Sequence, residues 1–239
     1  NLDMLRMYTQ RDYDGMGRVD SSNNVSGEDY RMRMNVIGNI TDTLVSRIGK
    51  NRPKPMYLTK RGDYKLRQNA KRLTDVMEGI FYQTGIYDVM PKIFQDSCIF
   101  DMACMKIGRE GSELFVERVF PNEMLWDQNA SMYSDMPPCM HQVKSIPLET
   151  LILQFPEREE ELRYSAATDD KMSSEEGHEA EMVECVESWH LPSTNDAEDG
   201  RHVIHMDTVI LVDEEYTYTS YPFVFMNWGD SLIGFAGIS

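Results

Sequence analysis

Two pairs of residues stand at spacings that could do chemistry. His202 and His205 have two residues between them, and imidazoles bind metals such as zinc. On the strand predicted for this segment, however, residues three apart point to opposite faces, and neither acid nor cysteine stands at ligand spacing beside them. Cys185 and His190 lie five apart on another predicted strand, which separates the thiol from the imidazole that would activate it. We therefore predict no metal site and a core position for Cys185.

The motifs of phosphate binding and of serine hydrolases are also missing. Neither G-x-x-x-x-G-K-[ST] nor G-x-S-x-G occurs in the sequence. Carboxylates are densest between Glu157 and Glu181, a stretch that we predict to be too flexible to hold two of them at a catalytic separation. A metal-dependent nuclease is an alternative, because acids and bases are both plentiful, but the sequence offers it no fixed site. We expect no catalytic residue, no cofactor and no enzyme activity.

A dense cluster of basic residues is the strongest candidate in the sequence for an interaction site. Residues 47–72 contain ten Lys/Arg and one acid, Asp63. Basic side chains bind phosphates or acidic protein surfaces through sequence-independent electrostatics, and the plain alternative is a helix face in solvent. Only Tyr57 and Tyr64 interleave the cluster, so stacking on single-stranded nucleic acid is not favoured. The candidate interaction residues are Arg47, Lys50, Arg52, Lys54, Lys60, Arg61, Lys65, Arg67, Lys71 and Arg72.

Charge is distributed unevenly along the chain. The net charge is −16, yet residues 1–110 carry 18 bases and 14 acids, a net of +4, so residues 111–239 carry −20. The stretch from Glu157 to Glu181 has no apolar stripe after Leu162, and we expect it to be a solvated, flexible insertion. The protein therefore has one basic patch and one acidic stretch.

The basic cluster is predicted to lie on two helices and an extended connector. Ser26-x-x-Asp29 resembles a capping box, and the apolar stripe that follows it ends at Gly49, which predicts the first helix. Two prolines within residues 51–55 prevent that helix from continuing. Asp63 begins a second helix, whose apolar stripe should face the core. The stripes are Ile37, Ile40, Leu44 and Ile48 in the first helix, and Leu66, Ala70, Leu73, Met77 and Ile80/Phe81 in the second.

A third helix from Ile86, with Pro91 near its first turn, is followed by short apolar runs between turns. The predicted strands are 104–107, 114–119, 123–126, 139–146, 182–191, 201–206, 209–212 and 222–225, with a short helix from Pro147. Helices first and mostly antiparallel strands later predict an α+β fold. We divide the chain into an N-terminal arm (1–26), a helical part (27–100), a β-hairpin with a short helix (101–156), the acidic insertion (157–181) and a β-rich part (182–239).

The sequence predicts a protein that stays in the compartment where it is made. No run approaches the roughly 18 apolar residues of a membrane span, and the first residues are too polar for a secretory signal. The four cysteines show no C-x-x-C spacing, which favours reduced thiols in a cytoplasm. The chain begins with Asn1 and stops at Ser239 without a closing element, so we interpret it as a fragment or as the ordered part of a longer chain.

A series of short motifs runs in order along residues 35–239. They are residues 51–53 (NRP) with 70–74 (AKRLT), 80–82 (IFY) through 92–96 (KIFQD), 119–123 (VFPNE) with 126–127 (WD), 187–192 (ESWHLP), 199–204 (DGRHVI), and 222–224 (PFV) with the G-F-x-G of 234–237. Their number, order and spacing resemble the portal proteins of short-tailed phages. Such portals continue beyond the G-F-x-G segment into stem helices, a clip and a crown. The resemblance therefore implies a wing-region fragment in which the stem, clip and crown are missing.

This resemblance also implies what the protein does and with what. It implies a structural virion protein that forms a cyclic homo-oligomer, usually a dodecamer, around a channel for double-stranded DNA at one capsid vertex. The implied partners are the major capsid protein, scaffold, terminase and tail adaptor proteins, with no membrane. The implied location is the virion, after assembly in the host cytoplasm. Opposite charge on two faces of one subunit favours head-to-tail contact, and such contacts close into rings. Another head-tail adaptor or capsid-associated protein is the alternative.

Overall fold

In a computed structural model of the chain, the described residues are 2–9, 13–14, 18–19, 35–60, 62–131, 136–168, 182–194, 197–229 and 235. They fall into two compact units. Unit 1 comprises Asn1–Pro121, Pro222–Asp230 and Ala236–Ser239, and unit 2 comprises Asn122–Tyr221 and Ser231–Phe235. Helices together with antiparallel sheets confirm the predicted α+β class.

Seven α-helices lie within the described residues. They are α1 (Leu2–Thr9), α2 (Val36–Gly49), α3 (Tyr64–Gln83), α4 (Ile86–Phe100), α5 (Gln128–Ser131), α6 (Leu148–Gln154) and α7 (Glu159–Thr168). The predicted capping box at Ser26 lies outside the described residues, and α2 begins later, where the Asn35 side chain accepts a hydrogen bond from the Gly38 N–H. Asp63 caps α3 as predicted.

The strands confirm most of the predicted β segments. They are β1 (Tyr13–Asp14), β2 (Arg18–Val19), β3 (Met102–Glu110), β4 (Glu113–Val119), β5 (Met124–Trp126), β6 (Cys139–Pro147), β7 (Met182–His190), β8 (Arg201–Met206), β9 (Val209–Glu215) and β10 (Phe223–Asn227). β3 and β4 form the predicted hairpin, in which Gly111 adopts a positive φ of 59° at the turn.

Unit 1 is built around α4, which packs against α2 and against a three-stranded antiparallel sheet of order β10-β3-β4. Ile93 and Phe100 of α4 are buried, as are Ala103, Cys104 and Val119 of the sheet. A buried carboxylate, Asp96, forms a two-bonded ion pair with the Arg118 guanidinium and so links α4 to β4. Gly85, with φ of 64°, joins α3 to α4 in a left-handed conformation that favours glycine.

The prediction that the apolar stripe of α3 faces the core is wrong for Leu66 and Leu73, although Ala70 of the same stripe is buried. Leu66 is 55% exposed and Leu73 is 51% exposed, and Ile37, Ile40 and Ile48 of α2 are also exposed. Small residues contact the rest of unit 1 instead: Gly38 and Thr41 are the buried positions of α2, and Ala70 is that of α3. The periodicity identified the residues that share a face but not what covers it.

Unit 2 is a five-stranded antiparallel sheet of order β5-β6-β7-β8-β9 with α6 and α7 packed on it. Its core contains Leu148, Leu151, Ile152, Leu162, Val183, Cys185, Met206 and Val209, which confirms the core position predicted for Cys185. The predicted flexible loop is wrong for residues 159–168, which form α7. Leu162 there is fully buried and Ser165 is nearly so. Residues 169–181 lie outside the described part of the chain.

Candidate interaction surface

The connector between α2 and α3 lies against the helices of unit 1 and is held by several polar contacts. The Tyr57 N–H donates to the Thr74 hydroxyl on α3 at 3.2 Å, and Tyr87 on α4 donates its hydroxyl to the Pro53 carbonyl at 3.2 Å. Lys54 bonds to Glu78 on α3, and this hydrogen bond raises the pKa of Lys54. These contacts give an extended segment a fixed path, which its two prolines alone do not provide.

The basic cluster covers this connector and the helices that flank it. Arg47 lies in the last turn of α2, Lys50 follows its end, and Arg52 lies 5.6 Å from the centre of the Tyr87 ring. Arg61 lies outside the described residues. The other nine candidates are all exposed: Arg47, Lys50, Arg52, Lys54, Lys60, Lys65, Arg67, Lys71 and Arg72. We call these nine residues the basic surface.

Large apolar side chains lie within the same region. Met56 is 74% exposed and Leu58 is 83% exposed, and both belong to the connector. Sequence reasoning missed them as functional candidates, although two large apolar residues in a segment that begins with prolines and ends with lysine were a visible signal. The region is therefore both basic and apolar, a combination common at sites of protein association.

An open groove of about 680 Å³ lies on unit 2, between α7 and the turn that joins β8 to β9. Tyr164, Val209 and Ile210 give it an apolar lining, while Glu160 and Glu161 make it acidic. Arg158 also lines it and pairs with Glu161 at 2.8 Å. We call this site the acidic groove. Its residues come from segments almost 50 positions apart, so no local pattern could have identified it.

Net charge separates the two units. Unit 1 contains 19 Lys/Arg and 17 Asp/Glu, a net of +2, whereas unit 2 contains 5 Lys/Arg and 23 Asp/Glu, a net of −18. Within unit 2, Arg163 neutralises part of this charge through contacts with Glu149 and Glu159, each at 2.9 Å. The asymmetry predicted from the sequence thus follows the boundary between the compact units.

The histidines of the sequence motif do not come together as a site. His202 lies between two carboxylates, with Nδ1 2.7 Å from Glu214 and Nε2 2.9 Å from Glu187, and its ring stacks on Trp189. His205 instead has Nδ1 3.2 Å from the Asp207 carbonyl oxygen. Burial lowers the pKa of His202, but the two carboxylates outweigh this, and the net effect raises it.

Neither a metal cluster nor a membrane span is found in the part of the chain that the structure describes. No group of three or more His, Cys, Asp or Glu there could hold a metal ion. None of the described helices is both long and apolar enough to cross a bilayer. The four cysteines are free thiols.

In a comparison with protein families, residues 21–220 match the family described as Phage P22-like portal protein. The match spans most of the chain, and the chain belongs to this family of phage portal proteins. A search of the curated proteins found no match.

Proposed function

We propose that the chain is the wing-region part of a portal subunit. Copies of it form a closed ring at one capsid vertex, around a channel through which double-stranded DNA is packaged and ejected. The family match over residues 21–220 carries this proposal. Two properties of the subunit support it: apolar helix faces left uncovered in unit 1, and opposite charge on the two units.

Assembly in the virion requires further contacts. We infer that the major capsid protein, scaffold, terminase and tail adaptors bind the ring, that its copy number is twelve as is usual for portals, and that it assembles in the host cytoplasm. The role is structural, without catalysis. A nuclease assay with Mg²⁺ or Mn²⁺ and linear DNA should give no turnover above that of a mock purification, and reproducible metal-dependent cleavage would contradict this part of the proposal.

Imaging of single particles tests the ring directly. The purified chain, raised in concentration until it self-associates, should give closed rings with a central opening of DNA width, about 20 Å or more. Mass photometry on the same sample should give one discrete oligomer mass. A chain that stays monomeric at every concentration, or that forms only open chains, would contradict the ring.

The basic surface is proposed to make an electrostatic contact that assembly needs, with a neighbouring subunit, the capsid shell or DNA. Its nine described residues are exposed, and such density repels itself unless an anionic surface lies opposite. The variant Lys60→Glu with Lys65→Glu should weaken ring formation, most of all at low salt, where screening is small. A matched control reverses two exposed bases elsewhere in unit 1, Lys92 and Arg109. Equal assembly of both variants at every ionic strength would leave the basic surface as a solvated face.

A further inference from the structure

The connector presents a preformed apolar ridge. Met56 and Leu58 are two residues apart in the connector, and both side chains are largely exposed. The bonds from Pro53 and Tyr57 to α4 and α3 fix the backbone on both sides of Met56. The ridge therefore needs little ordering before it binds, which lowers the entropic cost of association.

The acidic groove offers a complementary site. Tyr164 is 77% exposed and Ile210 is 51% exposed, so the groove has apolar surface that is not covered within the described part of the chain. Glu160 at the groove has no ion-pair partner among the described residues, and neither does Lys60, two positions beyond Leu58 in the connector. Apolar contact and charge thus match between the two surfaces.

We propose that the ridge of one chain, Met56 and Leu58, docks into the acidic groove of a second copy, with Lys60 beside Glu160. This inference rests on the proposed ring and names the surfaces that join neighbouring copies. The net charges of +2 on unit 1 and −18 on unit 2 favour the same pairing over contact between identical units.

The two surfaces are different patches of one chain, so each copy can donate a ridge and accept another. Such heterologous contacts propagate from copy to copy and close into a ring when the rotation between neighbours divides the circle. An isologous contact, in which the same patch meets itself, would stop at a dimer. The proposed pairing therefore predicts that assembly continues beyond two chains.

Cysteine cross-linking between two populations of the chain that carry different substitutions tests the contact. One population carries Leu58→Cys and the other Ile210→Cys, and the two are mixed in the otherwise unaltered chain and oxidised. A disulfide-linked band of twice the chain mass should form in the mixture and in neither population alone. The matched control replaces Ile210→Cys by Leu153→Cys, which is exposed on α6 outside the groove. The parent chain measures any background from its four native cysteines.

The outcomes separate this inference from the proposed function. Rings seen by imaging without a cross-link between positions 58 and 210 would overturn the ridge contact and leave the portal role intact. Cross-linked open chains without closed rings would support the contact and contradict the ring. A chain that carries both substitutions and links only to itself would show that the occupant of the groove is its own connector, which also overturns the inference.

Loss of the apolar anchors gives a second, quantitative test. The variant Met56→Asp with Leu58→Asp should raise the dissociation constant for self-association at least about tenfold, because buried apolar anchors carry much of the affinity at interfaces. Leu153→Asp, at an exposed position of α6 outside the groove, is the control and should change it less than about twofold. The side chains replaced in both variants are exposed, so circular dichroism should show an unchanged fold. An unchanged dissociation constant for the double variant would contradict the ridge.

Discussion

In unit 2, α6 and α7 place most of their apolar side chains in a core closed by the five-stranded sheet, whereas in unit 1 α2 and α3 leave most of theirs in solvent. The amphipathic helices of unit 2 thus build its core, whereas α2 and α3 of unit 1 expose apolar surface. The core of unit 2 is complete within one chain. In unit 1, α2 and α3 contact their neighbours through small residues such as Gly38 and Ala70, and their exposed apolar side chains remain available to another molecule. Because of this contrast, we expect assembly to bury more apolar surface in unit 1 than in unit 2.

Removal of the buried ion pair should have the largest effect on unit 1. Asp96 is 1% exposed, so Asp96→Ala leaves the Arg118 guanidinium without its partner and should cost about 3–5 kcal/mol in the free energy of unfolding. Arg201 and Asp213 form a similar two-bonded pair on the surface of unit 2. Arg201→Ala should cost much less than Asp96→Ala, because solvent screens an ion pair on the surface. Urea titration at a concentration where the chain is monomeric compares them, and equal losses would contradict the contrast.

A slightly smaller loss should follow truncation of Leu162, the buried anchor of α7. Leu162→Ala removes a side chain with no exposed surface from the core of unit 2 and should cost about 2–5 kcal/mol. Leu153→Ala, on the neighbouring α6 and largely exposed, is the matched control and should stay within about 0.5 kcal/mol of the parent. If Leu162→Ala is as mild as the control, α7 does not belong to the core.

The case of α7 shows where sequence reasoning was sufficient and where it was not. Alternation and turn residues predicted the β3–β4 hairpin and most of the other strands, because these signals are local. The face of α7 that packs on the sheet consists of Leu162, Ser165 and Ala166, and only the first is a large apolar residue. The glutamates around it suggested disorder, although acids in a first turn stabilise a helix.

Only one of the candidate surfaces could be predicted from the sequence, because the others depend on tertiary packing. Charge density alone identified the basic surface, and all nine of the candidates that the structure describes are exposed. Exposure of Leu66 and Leu73 could not be predicted, since helical periodicity does not tell whether a neighbour covers the stripe. The acidic groove requires α7 and the β8–β9 turn to meet, which depends on tertiary packing.

A pH-dependent effect of about 1 kcal/mol is expected at His202 in unit 2, the typical net contribution of one intramolecular hydrogen bond. Folding raises the pKa of His202, so its stabilisation is present below the unfolded value near 6.5 and is lost as pH rises through the folded value. His202→Gln should therefore lose more stability relative to the parent at pH 6 than at pH 8.5. Unfolding measured at both pH values tests this.

His141 provides a control of opposite sign. Burial, and then repulsion from His205, lowers the pKa of His141, so the folded state loses stability as pH falls below about 6.5. The free energy of unfolding of His141→Gln, taken relative to that of the parent, should therefore be higher at pH 6 than at pH 8.5. The same pH dependence for both variants would show that the two carboxylates beside His202 do not determine its contribution.

The smallest effect on the single chain should come from the exposed stripe of α3. Leu66→Ser with Leu73→Ser should lower the free energy of unfolding of the monomer by no more than about 1 kcal/mol, because both side chains are more than half exposed. Leu162→Ser, matched in chemistry but buried, should unfold unit 2 far more readily. A loss of several kcal/mol for the α3 variant would mean that its stripe supports unit 1 itself and would remove the contrast between the units.

The single glycine between α3 and α4 also has a mechanical consequence. The 20 residues of α3 extend about 30 Å from Gly85, so a rotation of about 10° at this junction would displace the Tyr64 end by about 5 Å. The space beside Gly85 is open, because a Cβ added there would meet nothing within 4 Å. The connector bonds to Thr74 and Glu78, near the middle of α3, therefore act as a brace. These bonds lie closer to Gly85 than Tyr64 does. A force applied to the Tyr64 end would therefore place a larger force on them.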